Sequence, residues 1–371
     1  MPLWTLIPIT LLLIVTQEMS SRMGAVTGKG LSDLIREEFG LRTTFFLMIA
    51  LVITNFSNVI AEFAGIASSL ELFHISRYIS VPICAVAVWF LVVRGNYRSV
   101  EKVFLAACCL YVTYIISAFL LKPDWKEAAI YSVKPILMFD EGYITMLIAM
   151  VGTSIAPWMQ FYLQSSVVEK GVTRRGLKAS RWDVITGCIF TDVVAWFIIV
   201  ACAATLYVHG FRDIKYAADA AQALKPLAGQ YAYILFAVGL FNASLFAASI
   251  LPLSTAYTVC EGLGFESGVD KKFGDAPFFY WLYTLLIVAG AILVLLIPGP
   301  QLVRIVLWSQ VLNGIVLPFV LIFMLLLINK KELMGEYVNS HLFNAVAWGT
   351  TVLVAGLSLA LVVGYITGKT G

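Results

Sequence analysis

Ten long apolar runs constrain the fold of this chain more than any other feature of its sequence. A bilayer's hydrocarbon core is about 30 Å thick, and a helix needs roughly 20 apolar residues to cross it. Open strands are excluded there, because lipid offers no hydrogen-bond partners to the backbone. The runs cover residues 3–16, 43–68, 75–93, 103–121, 142–164, 184–208, 231–259, 278–297, 302–328 and 343–366. They predict an all-α polytopic membrane protein with a single transmembrane domain across residues 1–371.

The composition of the chain indicates a lipid environment and excludes several classes of function. The chain is 60% hydrophobic and 13% charged, whereas soluble domains carry about 25% charged residues. Its net charge is only +3, and its Lys and Arg residues are spread over short loops. A nucleic-acid binder would show a basic stripe instead. The runs contain neither H-E-x-x-H nor a catalytic Ser or Cys beside a base. We therefore expect a multi-pass protein of the cell membrane that contacts lipid, with no enzymatic activity, cofactor, nucleic-acid partner or obligatory protein partner.

The distribution of basic residues predicts the orientation of the spans. Alternate loops assigned to one side hold 16 of the 25 Lys and Arg residues, and the positive-inside rule makes that side cytoplasmic. The first run would then enter from outside. That run is short and has no basic leader or good signal-peptide cleavage site. We infer from this that one helix running from inside to outside is missing upstream.

The fifth run is interrupted at its centre by Gly152-Thr153-Ser154-Ile155-Ala156-Pro157. Pro157 lacks the N–H that would donate to the carbonyl of Thr153 and clashes with that carbonyl. Unwound backbone at this depth is tolerated where it lines a cavity, and broken helices bind ions in many transporters. An ordinary proline kink is the alternative. The nearby amides of Gln160 and Gln164 favour an ion pathway somewhat.

Three further polar residues lie deep within apolar runs. Glu62 and Asp192 are ionisable, and such residues inside a membrane are costly and commonly functional. Both are candidates for handling cations or protons, although a buried carboxylate can also simply join helices. Gln310 offers a neutral oxygen suited to a hard divalent ion, with helix packing as the competing interpretation.

At these residues, and along most of the chain, the sequence resembles the Nramp family of divalent metal transporters. Residues 22–31 resemble the loop after the family's second helix, and Glu62 with its neighbours resembles the third helix. The stretches that carry the rest of the resemblance are residues 97–102, 122–125, 309–319 and 333–339. The resemblance implies a LeuT-type inverted-repeat fold in which the first run corresponds to the family's second helix. The broken first helix, with its Asp-Pro-Gly-Asn motif, would then be absent.

The resemblance also implies a metal site at Thr153, Ala156 and Gln310. Family members carry Met-Pro-His-Asn in the broken sixth helix, where this chain has Ala156-Pro157-Trp158-Met159. The thioether ligand is therefore lost, and Trp158 becomes a pathway candidate in place of histidine. Oxygen ligands suit Mg²⁺ and Mn²⁺, whereas sulfur favours later transition metals. The stretch is most similar to the Nramp-related magnesium transporters.

We therefore expect transport of partly hydrated Mg²⁺, and of Mn²⁺, as the substrate ion. Proton coupling is not expected, because the acidic position one turn before Glu62 is occupied by Val59 or Asn58. Asp192 stands where many members carry asparagine in the seventh helix, and could supply an extra carboxylate or accept from metal-bound water. Two alternatives stay open: a proton-coupled Mn²⁺ or Fe²⁺ transporter, and a sodium- or proton-coupled amino-acid or solute symporter on the same fold.

Overall fold

The computed structural model describes residues 3–95, 97–135, 141–207 and 217–366, and within these ranges the chain is helical with no strand. The helices are α1 (Leu6–Thr27), α2 (Leu31–Glu71), α3 (Arg77–Arg94), α4 (Tyr97–Cys109), α5 (Val112–Leu120), α6 (Trp125–Val133), α7 (Glu141–Ser154), α8 (Pro157–Glu169), α9 (Leu177–Cys202), α10 (Ala217–Leu263), α11 (Pro277–Leu296), α12 (Gly299–Ile328), α13 (Lys331–Met334) and α14 (His341–Ile366). In the described ranges, ten stretches are long and apolar enough to cross a membrane.

The outer surface of the helices is apolar, as a lipid environment requires. On α3, Ile83, Val86 and Phe90 are 62%, 65% and 59% exposed, whereas Ser80 and Cys84 of the same helix are buried. A soluble helix would show the reverse arrangement, with its polar face outward. The prediction of an all-α polytopic membrane protein is therefore confirmed.

The first helix is longer than its apolar run predicted. α1 continues to Thr27, where Gly28 adopts a left-handed conformation (φ 68°) and ends it. The stretch that resembled a loop is therefore helical up to Thr27. Its polar residues Glu18 and Arg22 are buried and form an ion pair at 3.0 Å. Arg22 also donates to the side-chain oxygen of Asn339 at 2.5 Å. These partners explain why a polar stretch remains helical inside the protein.

The second helix also begins earlier than predicted, at Leu31 rather than residue 43. A kink at Gly40, with φ 82° and ψ 162°, separates the polar first segment from the membrane span. Positive φ is costly for residues with a side chain, so glycine is favoured there. The ion pair of Glu38 with Lys330 holds the first segment against the end of α12, and Phe39 packs edge-on against Phe323.

Three other runs differ from their predicted extents. The run at 231–259 lies within the longer helix α10, which begins at Ala217 and ends at Leu263. The run at 103–121 forms two helices, α4 and α5, which are separated at Leu110 and Tyr111. The run at 184–208 forms the end of α9 and a π-helical turn at Ala203–Tyr207, and residue 208 lies outside the described residues.

The two largest buried apolar clusters among the described residues hold most of the helices together. The first joins α2, α3, α10 and α11 around Phe63, Phe279 and Tyr283. The second joins α1, α8, α9, α12 and α14 and contains Met23 and Met324. α2 contributes to both clusters, and it packs against α10 and α12 more extensively than against the other helices. α2 therefore connects the two clusters and fixes their positions relative to each other.

The approach of α7 to α12 positions the interrupted fifth run. A Cβ atom built on Gly152 would lie 2.5 Å from the carbonyl oxygen of Gln310 and 2.7 Å from the amide nitrogen of Gly314. Both atoms belong to the backbone, so neither can rotate away. This glycine contact places the end of α7 directly against the segment of α12 that carries Gln310.

We predict that Gly152→Ala destabilises the protein by about 1 to 3 kcal/mol, because the added methyl group overpacks two helix backbones. The matched control is Gly187→Ala in α9, where an added Cβ meets nothing within 4 Å and alanine favours the helix. Thermal unfolding in detergent should show a lower Tm for the first variant only. Equal Tm values for both variants would contradict the close approach of α7 and α12.

Candidate ion site at the broken helix

The interrupted run is a true break between two helices. α7 ends at Ser154, and α8 begins at Pro157 after two residues that lie outside both helices. Ala156 has extended backbone angles (φ −68°, ψ 139°), as expected for a residue that precedes proline. Thr153 itself is helical, so the break is shorter than the sequence predicted. Because Pro157 has no N–H, the carbonyl of Thr153 loses its helical donor at this point.

The structure brings Thr153 and Gln310 together. The hydroxyl of Thr153 lies 3.0 Å from the side-chain oxygen of Gln310 and donates to it. Thr153 is exposed although it lies within an apolar run, and Gln310 is half-buried. The pair therefore presents a hydroxyl oxygen and an amide oxygen at one accessible point beside the break.

The helix that carries Gln310 contains a proline of its own but stays continuous. Pro318 cannot donate to the carbonyl of Gly314, four residues earlier. The hydroxyl of Ser358 on α14 donates to that carbonyl instead, at 2.8 Å. This hydrogen bond stabilises the carbonyl that Pro318 leaves without a helical donor, and α12 is continuous through Pro318.

Two buried asparagines lie beneath Gln310, and sequence reasoning did not assign them to the site. Asn58 of α2 and Asn313 of α12 are 3% and 1% exposed, and each donates to the other's side-chain oxygen, at 3.2 and 3.4 Å. Asn58 also accepts from the Gln310 amide at 3.2 Å. The signal that could have found them is spacing, because Asn313 lies one helical turn after Gln310 and shares its face.

Ala156 and Trp158 occupy different surroundings. Ala156 is 2% exposed, and its carbonyl accepts from the N–H of Met159 at 3.1 Å. Trp158 packs against the first apolar cluster, and its carbonyl accepts from Ser254 at 3.2 Å. Ala156 lies at the break, whereas Trp158 is half-buried beside the first apolar cluster, and its role on an ion pathway stays a prediction.

Gln160 and Gln164 lie on the face of α8 that packs against α1. Both are fully buried. Gln160 accepts from Ser20 at 3.1 Å, and Gln164 donates to the carbonyl of Lys29 at 2.9 Å. One side-chain atom of each, Nε2 of Gln160 and Oε1 of Gln164, has no protein partner. These contacts join the helices, and a role on the ion pathway stays a prediction.

The two membrane carboxylates are not brought to the Thr153 and Gln310 pair. Glu62 faces α10, where its carboxylate is hydrogen-bonded to Ser244. Asp192 is 6% exposed and faces α1, where Thr10 is its hydrogen-bonding partner. Its Oδ2 atom has no protein partner. Both carboxylates therefore line helix interfaces, and their roles on a pathway stay predictions.

The donor set at the break consists of oxygen atoms from neutral groups. The Gln310 amide and the Thr153 hydroxyl and carbonyl suit hard cations such as Mg²⁺, Mn²⁺ and Ca²⁺. Among the residues the structure describes, no group of three or more His, Cys, Asp or Glu side chains could hold a metal ion. The site therefore offers dipoles rather than charges.

Comparisons with known proteins show the family. Residues 3–364 match the Nramp family model, described as natural resistance-associated macrophage protein-like. A divalent metal cation transporter MntH from Burkholderia ambifaria is 26% identical over 374 residues, covering 97% of this chain and 81% of the relative. The MntH protein of Deinococcus radiodurans is 24% identical over 370 residues, covering 96% and 81%.

Solved structures show the fold. A manganese transporter from Eremococcus coleocola, in complex with an aromatic bis-isothiourea substituted compound, has a TM-score of 0.75 at 18% identity and covers 99% of this chain and 81% of that one. MhsT in complex with L-phenylalanine has a TM-score of 0.62 at 12% identity, covering 96% and 90%. The predicted LeuT-type architecture is therefore confirmed at the level of fold.

Proposed function

Because the chain belongs to the Nramp family, we propose that it carries divalent metal ions across the membrane, with Mg²⁺ as the main substrate and Mn²⁺ as a second one. The family relatives named MntH support the transport of a divalent metal. The contact between Thr153 and Gln310 beside the broken helix is the observation that supports Mg²⁺ and Mn²⁺ as the substrates. It presents hard oxygen donors at a point that is accessible from outside the helix pair.

The small side chain at residue 156 supports a partly hydrated substrate. Ala156 adjoins the break and carries no heavy atom beyond Cβ, so it contributes no sulfur ligand to an ion. Mg²⁺ loses its water reluctantly and usually keeps several water ligands in protein sites. Under this proposal Thr153 and Gln310 replace only part of the hydration shell, and water supplies the other ligands.

The energy for uptake comes from the membrane potential in this proposal. An elementary charge gains about 2.3 kcal/mol in crossing 100 mV, so a divalent ion gains about 4.6 kcal/mol. That gain corresponds to a concentration ratio of roughly 2,000 at equilibrium, because 1.4 kcal/mol is tenfold. A co-transported proton is therefore not required for accumulation.

We predict that the purified protein in liposomes takes up Mg²⁺ and Mn²⁺, and that Gln310→Ala raises the KM for Mg²⁺ roughly tenfold or more, because a hydrogen-bond-strength contact to a charged ligand is lost. Gln301→Ala is the matched control, since Gln301 is an exposed glutamine of the same helix. A fluorescent Mg²⁺ indicator inside the vesicles measures the rate. Absence of uptake of any divalent ion by folded protein would contradict the proposal and favour a solute symporter.

We predict that Ala156→Met adds Cd²⁺ or Fe²⁺ uptake and slows Mg²⁺ uptake, because the thioether sulfur is a soft ligand and fills space needed by metal-bound water. Ala156→Leu is the control, because leucine has similar bulk and no sulfur. We expect it to slow Mg²⁺ uptake without adding Cd²⁺ uptake. Cd²⁺ transport by the unchanged protein at the rate of Mg²⁺ would contradict the hard-ion selectivity.

We predict that ion uptake leaves the internal pH unchanged. Glu62 has no acidic neighbour one turn earlier, where Val59 is fully buried in the first apolar cluster and Asn58 bonds to Asn313. A proton on Glu62 would therefore find no acidic acceptor one turn earlier on this helix. A pH-sensitive dye trapped in the same liposomes measures this directly, with a protonophore as the positive control. Acidification that follows Mg²⁺ or Mn²⁺ uptake would support the proton-coupled alternative.

A further inference from the structure

The amide group of Gln310 is held in one orientation by its buried neighbours. Its Nε2 atom donates to the side-chain oxygen of Asn58 at 3.2 Å and to the hydroxyl oxygen of Ser309 at 3.1 Å. Its oxygen accepts from Asn313 at 3.3 Å and from Thr153 at 3.0 Å. A reversed amide would set oxygen against oxygen at Asn58 and would place two N–H donors opposite each other at Asn313.

The neighbours of Gln310 are themselves fixed. The hydroxyl proton of Ser309 is donated to the carbonyl of Val306 at 2.8 Å, so its oxygen is left to accept from Gln310. Asn58 and Asn313 donate to each other across the contact of α2 and α12. Both asparagines are almost fully buried and neither has an unpaired side-chain atom. A connected buried network of this kind favours one arrangement of its side chains.

We propose that Asn58 and Asn313 are positioning residues, which hold the side-chain oxygen of Gln310 toward Thr153 so that it meets the ion already oriented. The inference rests on the proposed function, because it assigns the orientation of a ligand in that same site. A neutral ligand attracts a cation only through the direction of its dipole. Fixing the amide before the ion arrives removes the cost of ordering a flexible side chain on binding.

A second buried asparagine on the same helix provides a matched control. Asn55 lies one turn before Asn58, is 1% exposed, and donates to Thr255 of α10 at 3.0 Å. It therefore joins the same helix to a different neighbour and has no hydrogen bond to Gln310. Replacing Asn55 removes a buried helix contact of the same chemical kind without touching the amide network.

The test compares Asn58→Leu and Asn55→Leu in liposomes by the KM and maximal rate of Mg²⁺ uptake. Loss of one positioning hydrogen bond should raise the KM roughly two- to tenfold in Asn58→Leu, with the maximal rate little changed. Asn55→Leu should leave the KM unchanged. In a Gln310→Ala background, Asn58→Leu should produce no further rise, because the group that it orients is gone.

A rise of the KM by the same factor in the Gln310→Ala background, or an equal rise in Asn55→Leu, would overturn the assignment. Should Asn58→Leu not fold, Asn313→Leu takes its place, because it removes the donor to the Gln310 oxygen. If the unchanged protein transports no divalent ion, the proposed function fails by itself. The coupling of Asn58→Leu and Gln310→Ala in Tm then tests the network separately: a non-additive loss supports it, and additive losses overturn it.

Discussion

The requirement that every backbone polar group be satisfied within lipid governs this structure. Pro157 and Pro318 each remove a helical donor close to the contact of α7 with α12, and the chain differs at the two places. At Pro318 the carbonyl of Gly314 accepts a hydrogen bond from the hydroxyl of Ser358, and α12 continues. At Pro157 the chain leaves the helix for two residues before α8 begins. The break at Pro157 therefore leaves non-helical backbone at the contact of α7 with α12, whereas α12 itself stays continuous.

Hydropathy predicted the class of fold and most spans, but it could not find where helices continue beyond the membrane. The last three turns of α1 carry Glu18 and Arg22, which are buried because α9 and the loop before α14 supply partners. Those partners lie more than 150 residues away along the chain. Local hydropathy does not include such distant partners, and it therefore predicted that the apolar run ends at residue 16. The kink at Gly40 was missed for a similar reason, since one glycine within a helical pattern does not specify its φ.

The sequence predicted the broken helix from Pro157, and the resemblance named Thr153, Ala156 and Gln310, but periodicity alone could not assign partners. Gln160 and Gln164 are four residues apart, so the sequence shows that they share a face. Whether that face meets a cavity or another helix depends on the rotation of α8, which is set by α1 packing against it. The same ambiguity holds for Asn58 and Glu62, whose partners on α12 and α10 are about 180 to 255 residues distant.

The neutral character of the donor set follows from its depth and bears on transport. An unpaired carboxylate at the contact of α7 and α12 would carry a large desolvation cost, whereas amides that satisfy one another are stable there. Neutral dipoles bind a divalent ion less tightly than carboxylates do, and a transported ion must leave its site as well as enter it. Within the proposed function the buried asparagines therefore have two roles. They stabilise the contact of α2 with α12 when the site holds no ion, and they keep the side-chain oxygen of Gln310 aligned for when it does.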